Sequence, residues 1–335
     1  MSSLVLAAEA ASGDQFVSFH VPAWAWLALI AFICTLLVAD LLLVHRSAHV
    51  ATFRQAAIES AIWISIGLAF TLVMLYWHGG GAATEYLSAY LIEKSLSVDN
   101  VFVWAVIFSL FGVPAKFQFR VLFWGIFGAL VLRAVFIFAG VALIERFEWV
   151  LYIFGVLLLY SAWKIARHDE AEVNPDANPA LKLVRRFVPS TNEYDGQKLF
   201  TRRNGKRLAT PLFAVLILIE TTDVVFAVDS IPAVLAVSRE TFIVFSSNAF
   251  AILGLRALYF CLGGMAGRFK YLNLGLGVIL AFVGVKMLLA AGFDYHFPTW
   301  ASLAVIAVVL TVAIVASLRA EVGDADPDEM ADPRT

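Results

Sequence analysis

The chain contains little charge and almost no cysteine for its length. Only 15% of its 335 residues are charged and 61% are hydrophobic, with a mean hydropathy of +0.84. A soluble domain carries about a quarter charged residues, so this composition excludes a soluble globular fold. The two cysteines, Cys34 and Cys261, form no C-x-x-C or Cys/His pattern, which argues against a disulfide framework or a soft-metal site.

Catalytic patterns are missing as well. The sequence shows no Ser/His/Asp or Cys/His arrangement of the kind that activates a nucleophile. We therefore predict that the protein is not an enzyme, and we expect no permanently bound cofactor.

Long apolar runs are what the chain has in abundance. A helix needs about 20 apolar residues to cross about 30 Å of hydrocarbon, and nine windows of roughly this length occur. The sequence thus predicts an all-α, polytopic membrane protein in a lipid bilayer, with about nine transmembrane helices. The windows are 22–44, 57–77, 82–111, 119–144, 149–166, 209–236, 241–263, 270–292 and 298–318.

Lysine and arginine are distributed asymmetrically between the predicted loops. Alternate loops hold 18 of the 24 basic residues, ten of them between 164 and 207, and the opposite loops hold only Arg146 and Arg239. The positive-inside rule then predicts an outside N-terminus and a cytoplasmic C-terminus. Basic residues near span ends suit anionic lipid, and nucleic-acid binding is not expected.

Three sequence matches in register indicate an internal repeat. VDNVFVW (98–104) matches TDVVFAV (222–228), pairing Asp99 with Asp223, and two later matches pair Arg133 with Arg256 and Lys164 with Lys286. Because each unit contains three helices, contiguous copies must have opposite topology, which is typical of transporters with a site near the midplane. The predicted segments are an outside N-terminal segment (1–20), two leading helices (21–81), the first repeat (82–166), a basic cytoplasmic linker (167–208), the inverted second repeat (209–292), a last helix (293–319) and an acidic tail (320–335).

Ionisable residues occur inside these predicted spans. A carboxylate at the bilayer centre costs roughly 2.5 to 3.5 kcal/mol on insertion scales, so such residues usually line a functional path. Carboxylate and amide oxygens suit hard cations such as Mn²⁺, Mg²⁺ or Ca²⁺, whereas zinc and copper sites recruit His or Cys. We predict a divalent-cation site with proton exchange, built from Asp40, Glu93, Asp99, Asn100, Glu220, Asp223 and Asp229.

Four basic residues inside the spans are candidates for charge balance: Lys94, Arg133, Arg256 and Lys286. Two interpretations are open. The bases either balance the acids in an empty site, or they pair with them permanently and lock the helices together. Six clear acids face four bases, so permanent pairing alone leaves a surplus of acid.

Three stretches together resemble a known family. They are EYLSAYLIEKSLSVDNVFVWAVIFSLFGVPAKFQFRVLFWGIFGALVLRA (85–134), ETTDVVFAVDSIPAVLA (220–236) and ADLLLVHRSAH (39–49). This sequence is similar to the TerC family of bacterial integral membrane proteins, in its Alx-like branch, from about residue 20 to 320. The resemblance implies a relationship to the LysE transporter superfamily and a location in the bacterial inner membrane.

The resemblance also implies a function, manganese export or tellurium resistance. The acids that handle metal in the family would correspond here to Asp40, Glu93, Asp99, Glu220, Asp223 and Asp229. The expected substrate is therefore Mn²⁺, with other hard divalent cations possible. The alternative is a membrane assembly factor that supplies metal to, or stabilises, secreted or membrane protein partners.

Overall fold

The computed structural model describes residues 16–40, 52–147, 149–167, 188–191, 193–203, 206–262, 271–293 and 298–324. Within these ranges the chain is nearly all helical, as predicted. The helices are α1 (Ala23–Ala39), α2 (Phe53–Leu110), α3 (Ala115–Arg146), α4 (Val150–Ala166), α5 (Pro211–Leu235), α6 (Thr241–Leu253), α7 (Leu255–Leu262), α8 (Leu272–Phe293) and α9 (Thr299–Asp324).

Six helical stretches in the described part of the chain are long and apolar enough to cross a membrane. Two shorter apolar helices, Ala23–Ala39 and Val150–Ile165, accompany them. Helices α6 and α7 form one of the six stretches, with a break at Gly254 between them. A polytopic helical membrane protein is thereby confirmed, while the count of nine spans stays a prediction.

Helix α2 is two antiparallel segments rather than one rod. A straight helix would separate Gly67 from Tyr86 by about 28 Å, at 1.5 Å per residue. Instead, the Tyr86 hydroxyl donates to the Gly67 carbonyl at 2.9 Å, and the Tyr90 hydroxyl reaches the Ile64 carbonyl at 3.5 Å. The reversal occurs at Gly79, whose φ of 85° lies in the left-handed region that glycine adopts without strain.

The helices pack in a pattern that brings the two predicted repeats together. Helix α3 packs on α5, the segments of α2 pack on α6 and α7, and α4 packs on α8. The largest apolar cluster joins α4, α5 and α8 through residues such as Leu158, Ile231 and Val283. Helices of the first predicted repeat therefore lie against helices of the second.

Part of the predicted linker folds into a β-hairpin. Strand β1 (Phe200–Arg203) pairs antiparallel with β2 (Lys206–Ala209), and α5 begins two residues after β2 ends. Alternation of apolar and polar residues over four positions is too short a signal to predict strands. The hairpin is held to the helices, since the Tyr194 hydroxyl donates to the Phe111 carbonyl at 2.8 Å.

Candidate functional site

Arg133 lies at the centre of the candidate site and is only 2% exposed. Its Nη1 donates to Glu93 Oε2 at 2.5 Å. Its Nε and Nη2 donate to the two carboxylate oxygens of Asp223, at 3.2 and 3.1 Å. One guanidinium of α3 therefore bridges a carboxylate of α2 to a carboxylate of α5, and so joins the two predicted repeats.

Polar groups extend this cluster along α2 and α5. Asn100 Nδ2 donates to Asp223 Oδ1 at 3.4 Å, and Arg133 Nη1 lies 3.3 Å from Ser230 Oγ. Several buried polar atoms nearby have no partner among the described residues. They are Glu93 Oε1, Ser97 Oγ, Asn100 Oδ1 and Glu220 Oε2.

Glu220 lies beside the cluster because of a close helix contact. It is one turn before Asp223 on α5, and the two carboxylates interact electrostatically. Its side chain packs against Gly128 of α3, where an added Cβ would collide with the carboxylate. A glycine at this position is what allows a carboxylate to lie between the two helices.

The other predicted acids lie in separate contacts. Arg256 of α7 makes a bidentate ion pair with Asp40, which follows α1, and its guanidinium lies 4.5 Å from the Phe119 ring. Asp229 accepts a hydrogen bond from Ser161 Oγ at 2.7 Å. The side chain of Asp99 lies outside the described part of the structure.

Two of the predicted charge-balancing residues contact neutral groups. Lys94 Nζ donates to the Ala251 carbonyl at 3.2 Å, close to the break between α6 and α7 at Gly254. Lys286 Nζ donates to Ser302 Oγ at 2.9 Å and also interacts electrostatically with Glu85. Arg133 and Arg256, by contrast, both contact carboxylates directly.

Sequence reasoning missed a carboxylate near the other end of this α2 segment. Glu85 is 1% exposed and accepts hydrogen bonds from the Val17 amide at 2.7 Å and Ser238 Oγ at 2.6 Å. Phe19 stacks on His78 with ring centroids 3.7 Å apart. Residues 16–22, which we name the strap, therefore lie across the reversal of α2 near Gly79 and next to the α5–α6 loop. The available signal was a glutamate within the predicted span, eight residues before Glu93.

Next to the strap, Glu240 precedes the first residue of α6. Burial raises the pKa of its carboxyl, while backbone amides of Phe19 and Phe242 donate to it and oppose that rise. The nearby Glu145 carboxylate adds to the rise. Three glutamates, Glu85, Glu145 and Glu240, thus lie at this end of the molecule, and Arg239 and Lys286 lie there as well, both near the Phe16 ring of the strap.

Acidic side chains outnumber basic ones around Arg133. Among the described side chains, no group of three or more His, Cys, Asp or Glu residues has a geometry ready to hold a metal ion. Glu93 and Asp223 are instead held by the guanidinium. If Glu93, Asp223 and Glu220 are all ionised, three negative charges face one positive charge, and two negative charges are in excess.

Comparisons with known proteins agree with this membrane architecture. The family model described as "Integral membrane protein TerC family" matches residues 78–323. A membrane protein of Myxococcus xanthus is 47% identical over 306 residues, covering 90% of this chain and 95% of the relative. The Escherichia coli K12 protein named "Putative membrane-bound redox modulator Alx" is 45% identical over 300 residues, covering 87% and 92%. No solved structure matches.

Proposed function

This chain belongs to the TerC family of integral membrane proteins, and from that premise we propose that it transports a divalent metal cation, most specifically by exporting Mn²⁺. The observation that carries the proposal is the gathering of three carboxylates around one guanidinium, which leaves two negative charges in excess when all three acids are ionised. Two negative charges in excess match one divalent cation, and the unpartnered oxygens of Glu93, Asn100 and Glu220 are available as ligands.

The donor chemistry narrows the substrate to hard cations. Carboxylate, amide and hydroxyl oxygens suit Mn²⁺, Mg²⁺ and Ca²⁺, and no His or Cys side chain contacts Arg133, Glu93 or Asp223 among the described residues. The order of preference among the three cations rests on the family resemblance alone. Asp99 and Asp229 remain proposed ligands on other parts of the path, whereas Asp40, predicted from the sequence as a ligand, is proposed to serve as the structural partner of Arg256.

Arg133 would act as a counter-ion that is exchanged with the substrate. In the present arrangement its guanidinium compensates two carboxylates that would otherwise repel each other in a low dielectric. An arriving cation would take over those oxygens and release part of the guanidinium's hydrogen bonds. Protons would compensate the acids when the cation leaves, which is the proposed coupling.

We also propose nine membrane crossings and an inverted repeat, and the α4–α8 contact supports the repeat. In the register that pairs Lys164 with Lys286, Gly155 corresponds to Gly277 and Ala162 corresponds to Gly284. A Cβ at Gly155 would lie 3.3 Å from the Gly284 carbonyl oxygen, and a Cβ at Gly277 would lie 3.5 Å from the Ala162 carbonyl oxygen. Exchanging the two repeats therefore converts the Gly155–Gly284 contact into the Gly277–Ala162 contact, as a two-fold pseudosymmetry axis between the repeats requires.

The antiparallel segments of α2 support the count of nine. Each segment is long enough for its own crossing, so the six long stretches and two short helices accommodate nine passages. The inner-membrane location, outside N-terminus and membership of the LysE superfamily stay proposals from loop charge and resemblance.

Competing functions make different demands on the chain. A dithiol redox role needs a pair of neighbouring cysteines, and the sequence has only Cys34 and Cys261, both free. An assembly factor needs a partner surface rather than buried unpartnered ligands. The Arg133 cluster therefore favours cation transport.

The decisive variant is Glu220→Gln, because Glu220 Oε2 has no partner among the described residues and its loss breaks no ion pair. The matched control is Glu145→Gln, on an exposed position of α3. We expect cells expressing the native protein or the control to accumulate less Mn²⁺ under manganese stress than cells expressing Glu220→Gln at equal membrane level.

Purified protein provides the second measurement, equilibrium Mn²⁺ binding in detergent. Glu220→Gln should weaken this binding, and Glu145→Gln should not. Equal manganese content in all strains together with equal Mn²⁺ binding would overturn the proposal. In that case, tellurite sensitivity and partner co-purification would test the alternative functions.

A further inference from the structure

The β-hairpin Phe200–Ala209 is fixed directly at the start of a membrane span. Strand β2 ends at Ala209 and α5 begins at Pro211, so only Thr210 separates them. The Phe200 ring packs on Phe213, in the first turn of α5, with centroids 4.6 Å apart. Because α5 enters the bilayer, the hairpin must lie at the membrane surface.

Hydrogen bonds hold the hairpin in one orientation relative to the helices. Thr210 Oγ1 donates to the Lys198 carbonyl at 2.7 Å, and the Ala209 amide donates to the Pro189 carbonyl at 2.8 Å. Gln197 Nε2 donates to the Lys116 carbonyl at 3.2 Å, at the start of α3. The hairpin is thus a structured surface element and not a loose linker.

Its cross-strand pairs are of like charge. Arg202 lies opposite Arg207, and Arg203 lies opposite Lys206. Like charges directly opposite each other destabilise a two-stranded sheet. The side chains of Arg202, Lys206 and Arg207 are exposed, and no acidic side chain in the described ranges pairs with them. An anionic partner from outside the chain would offset this repulsion.

One face of the hairpin combines the charges with an aromatic ring. Side chains alternate along a strand, so Phe200 and Arg202 share a face, and Arg207 lies on the same face of β2 opposite Arg202. Phe200 is 45% exposed despite its contact with Phe213. An exposed apolar ring beside two guanidinium groups suits the membrane interface, where the ring can enter the boundary between headgroups and acyl chains while the charges face lipid phosphates.

We propose that this face binds the phosphate groups of anionic phospholipids and so anchors the adjoining ends of α2, α3 and α5 to the bilayer surface. Arginine side chains near an anionic membrane surface are attracted to its negative potential. A guanidinium can also donate two hydrogen bonds to one phosphate. Nucleic acid fits less well, because the hairpin ends one residue before a span and bears an exposed phenylalanine among its charges.

The test uses the full-length protein in nanodiscs of phosphatidylcholine, alone or mixed with phosphatidylglycerol. The measured quantity is the rise in unfolding midpoint caused by phosphatidylglycerol. We expect Arg202→Gln/Arg207→Gln to lose at least half of that rise, and Arg202→Lys/Arg207→Lys to keep most of it. The matched control, Lys116→Gln/Arg120→Gln, removes two exposed charges from α3 at the same end of the molecule.

Three results would overturn the proposal. The first is an equal phosphatidylglycerol-dependent rise in the native protein and the double glutamine variant. The second is an equal loss in the α3 control, which would indicate bulk charge rather than this face. The third is an equivalent midpoint rise in phosphatidylcholine nanodiscs on adding inorganic phosphate or a short RNA, which would identify a soluble anion as the ligand.

Discussion

Arg133 and Arg256 are equally buried, each with 2% of its surface exposed, but they have different numbers of acidic partners. Arg256 makes one bidentate pair with Asp40 and rests against an aromatic ring. Arg133 divides its donors between Glu93, Asp223 and Ser230, with Glu220 close by. The sequence register pairs the two arginines, so equivalent residues have acquired unequal surroundings.

The difference separates a structural pair from a candidate binding site. A single bidentate carboxylate neutralises Arg256 completely and leaves no charge for a substrate. Around Arg133 the acids outnumber the base, and the unpartnered oxygens of Glu93 and Glu220 remain. Buried charge is therefore informative about function only after its partners have been counted.

The largest expected effect is that of Arg133→Leu, which leaves two buried carboxylates uncompensated. Breaking a buried ion pair by removing one partner costs about 3–5 kcal/mol, and here two acids lose the same partner. We expect a lower unfolding midpoint and a lower folded yield in detergent than for Arg256→Leu. Added Mn²⁺ should restore more of the midpoint in Arg133→Leu, since a cation can replace the guanidinium. Equal midpoints for the two variants, with and without Mn²⁺, would contradict the comparison.

Asp40→Ala should have the next largest effect. It should lower the free energy of unfolding by about 3–5 kcal/mol, because it leaves Arg256 buried without its carboxylate. Removing both partners in Asp40→Ala/Arg256→Leu should recover most of the loss, as expected for a closed pair. A thermal double-mutant cycle measures the coupling. A double variant no more stable than Asp40→Ala would show that the pair has further obligatory contacts.

Gly128→Ala should have a smaller effect on stability, about 1–3 kcal/mol, but a marked effect on transport. The new Cβ would collide with the Glu220 carboxylate and displace it from its position between α3 and α5. The matched control is Gly292→Ala on α8, where the nearest atom to an added Cβ is 3.8 Å away. Manganese content of cells at equal expression distinguishes the two, and equal content would show that Glu220 can act from a displaced position.

Glu220→Gln should have the smallest effect on stability, within about 1 kcal/mol, because the substitution keeps the shape and removes only a charge next to Asp223. Its transport defect should nevertheless exceed that of Asp40→Ala/Arg256→Leu. A large drop in unfolding midpoint for Glu220→Gln would mean that this carboxylate is structural, like Asp40.

Some of this arrangement was predictable from sequence. The helical class followed from the length of the apolar runs, and the internal register paired Asp99 with Asp223 and predicted a site near the midplane. The partner of Arg256 was not predictable, because Asp40 lies outside both repeats and 216 residues away along the chain. Hydrophobic periodicity in a sequence predicts which side of a helix is buried, but it does not predict which distant helix packs against that side.

The strap and the hairpin escaped prediction for a related reason. Each depends on contacts between short segments and helix ends, such as the Val17 amide with Glu85 and Tyr194 with the Phe111 carbonyl. Neither segment has enough residues to show a period of its own. The hydrogen bonds that Glu85 accepts were equally unpredictable from sequence, because their donors, in residues 17 and 238, are far from Glu85 along the chain.

Glu85 has a consequence for how often this end of the molecule opens. Its carboxylate accepts from both the strap and the α5–α6 loop, so separating those elements from α2 gives up both hydrogen bonds together. An intramolecular hydrogen bond contributes about 1 kcal/mol net, so the two together contribute about 2 kcal/mol. A difference of about 2 kcal/mol corresponds to a factor of roughly 30 in an equilibrium constant. The two hydrogen bonds of Glu85 thereby oppose separation of the strap and the α5–α6 loop from α2.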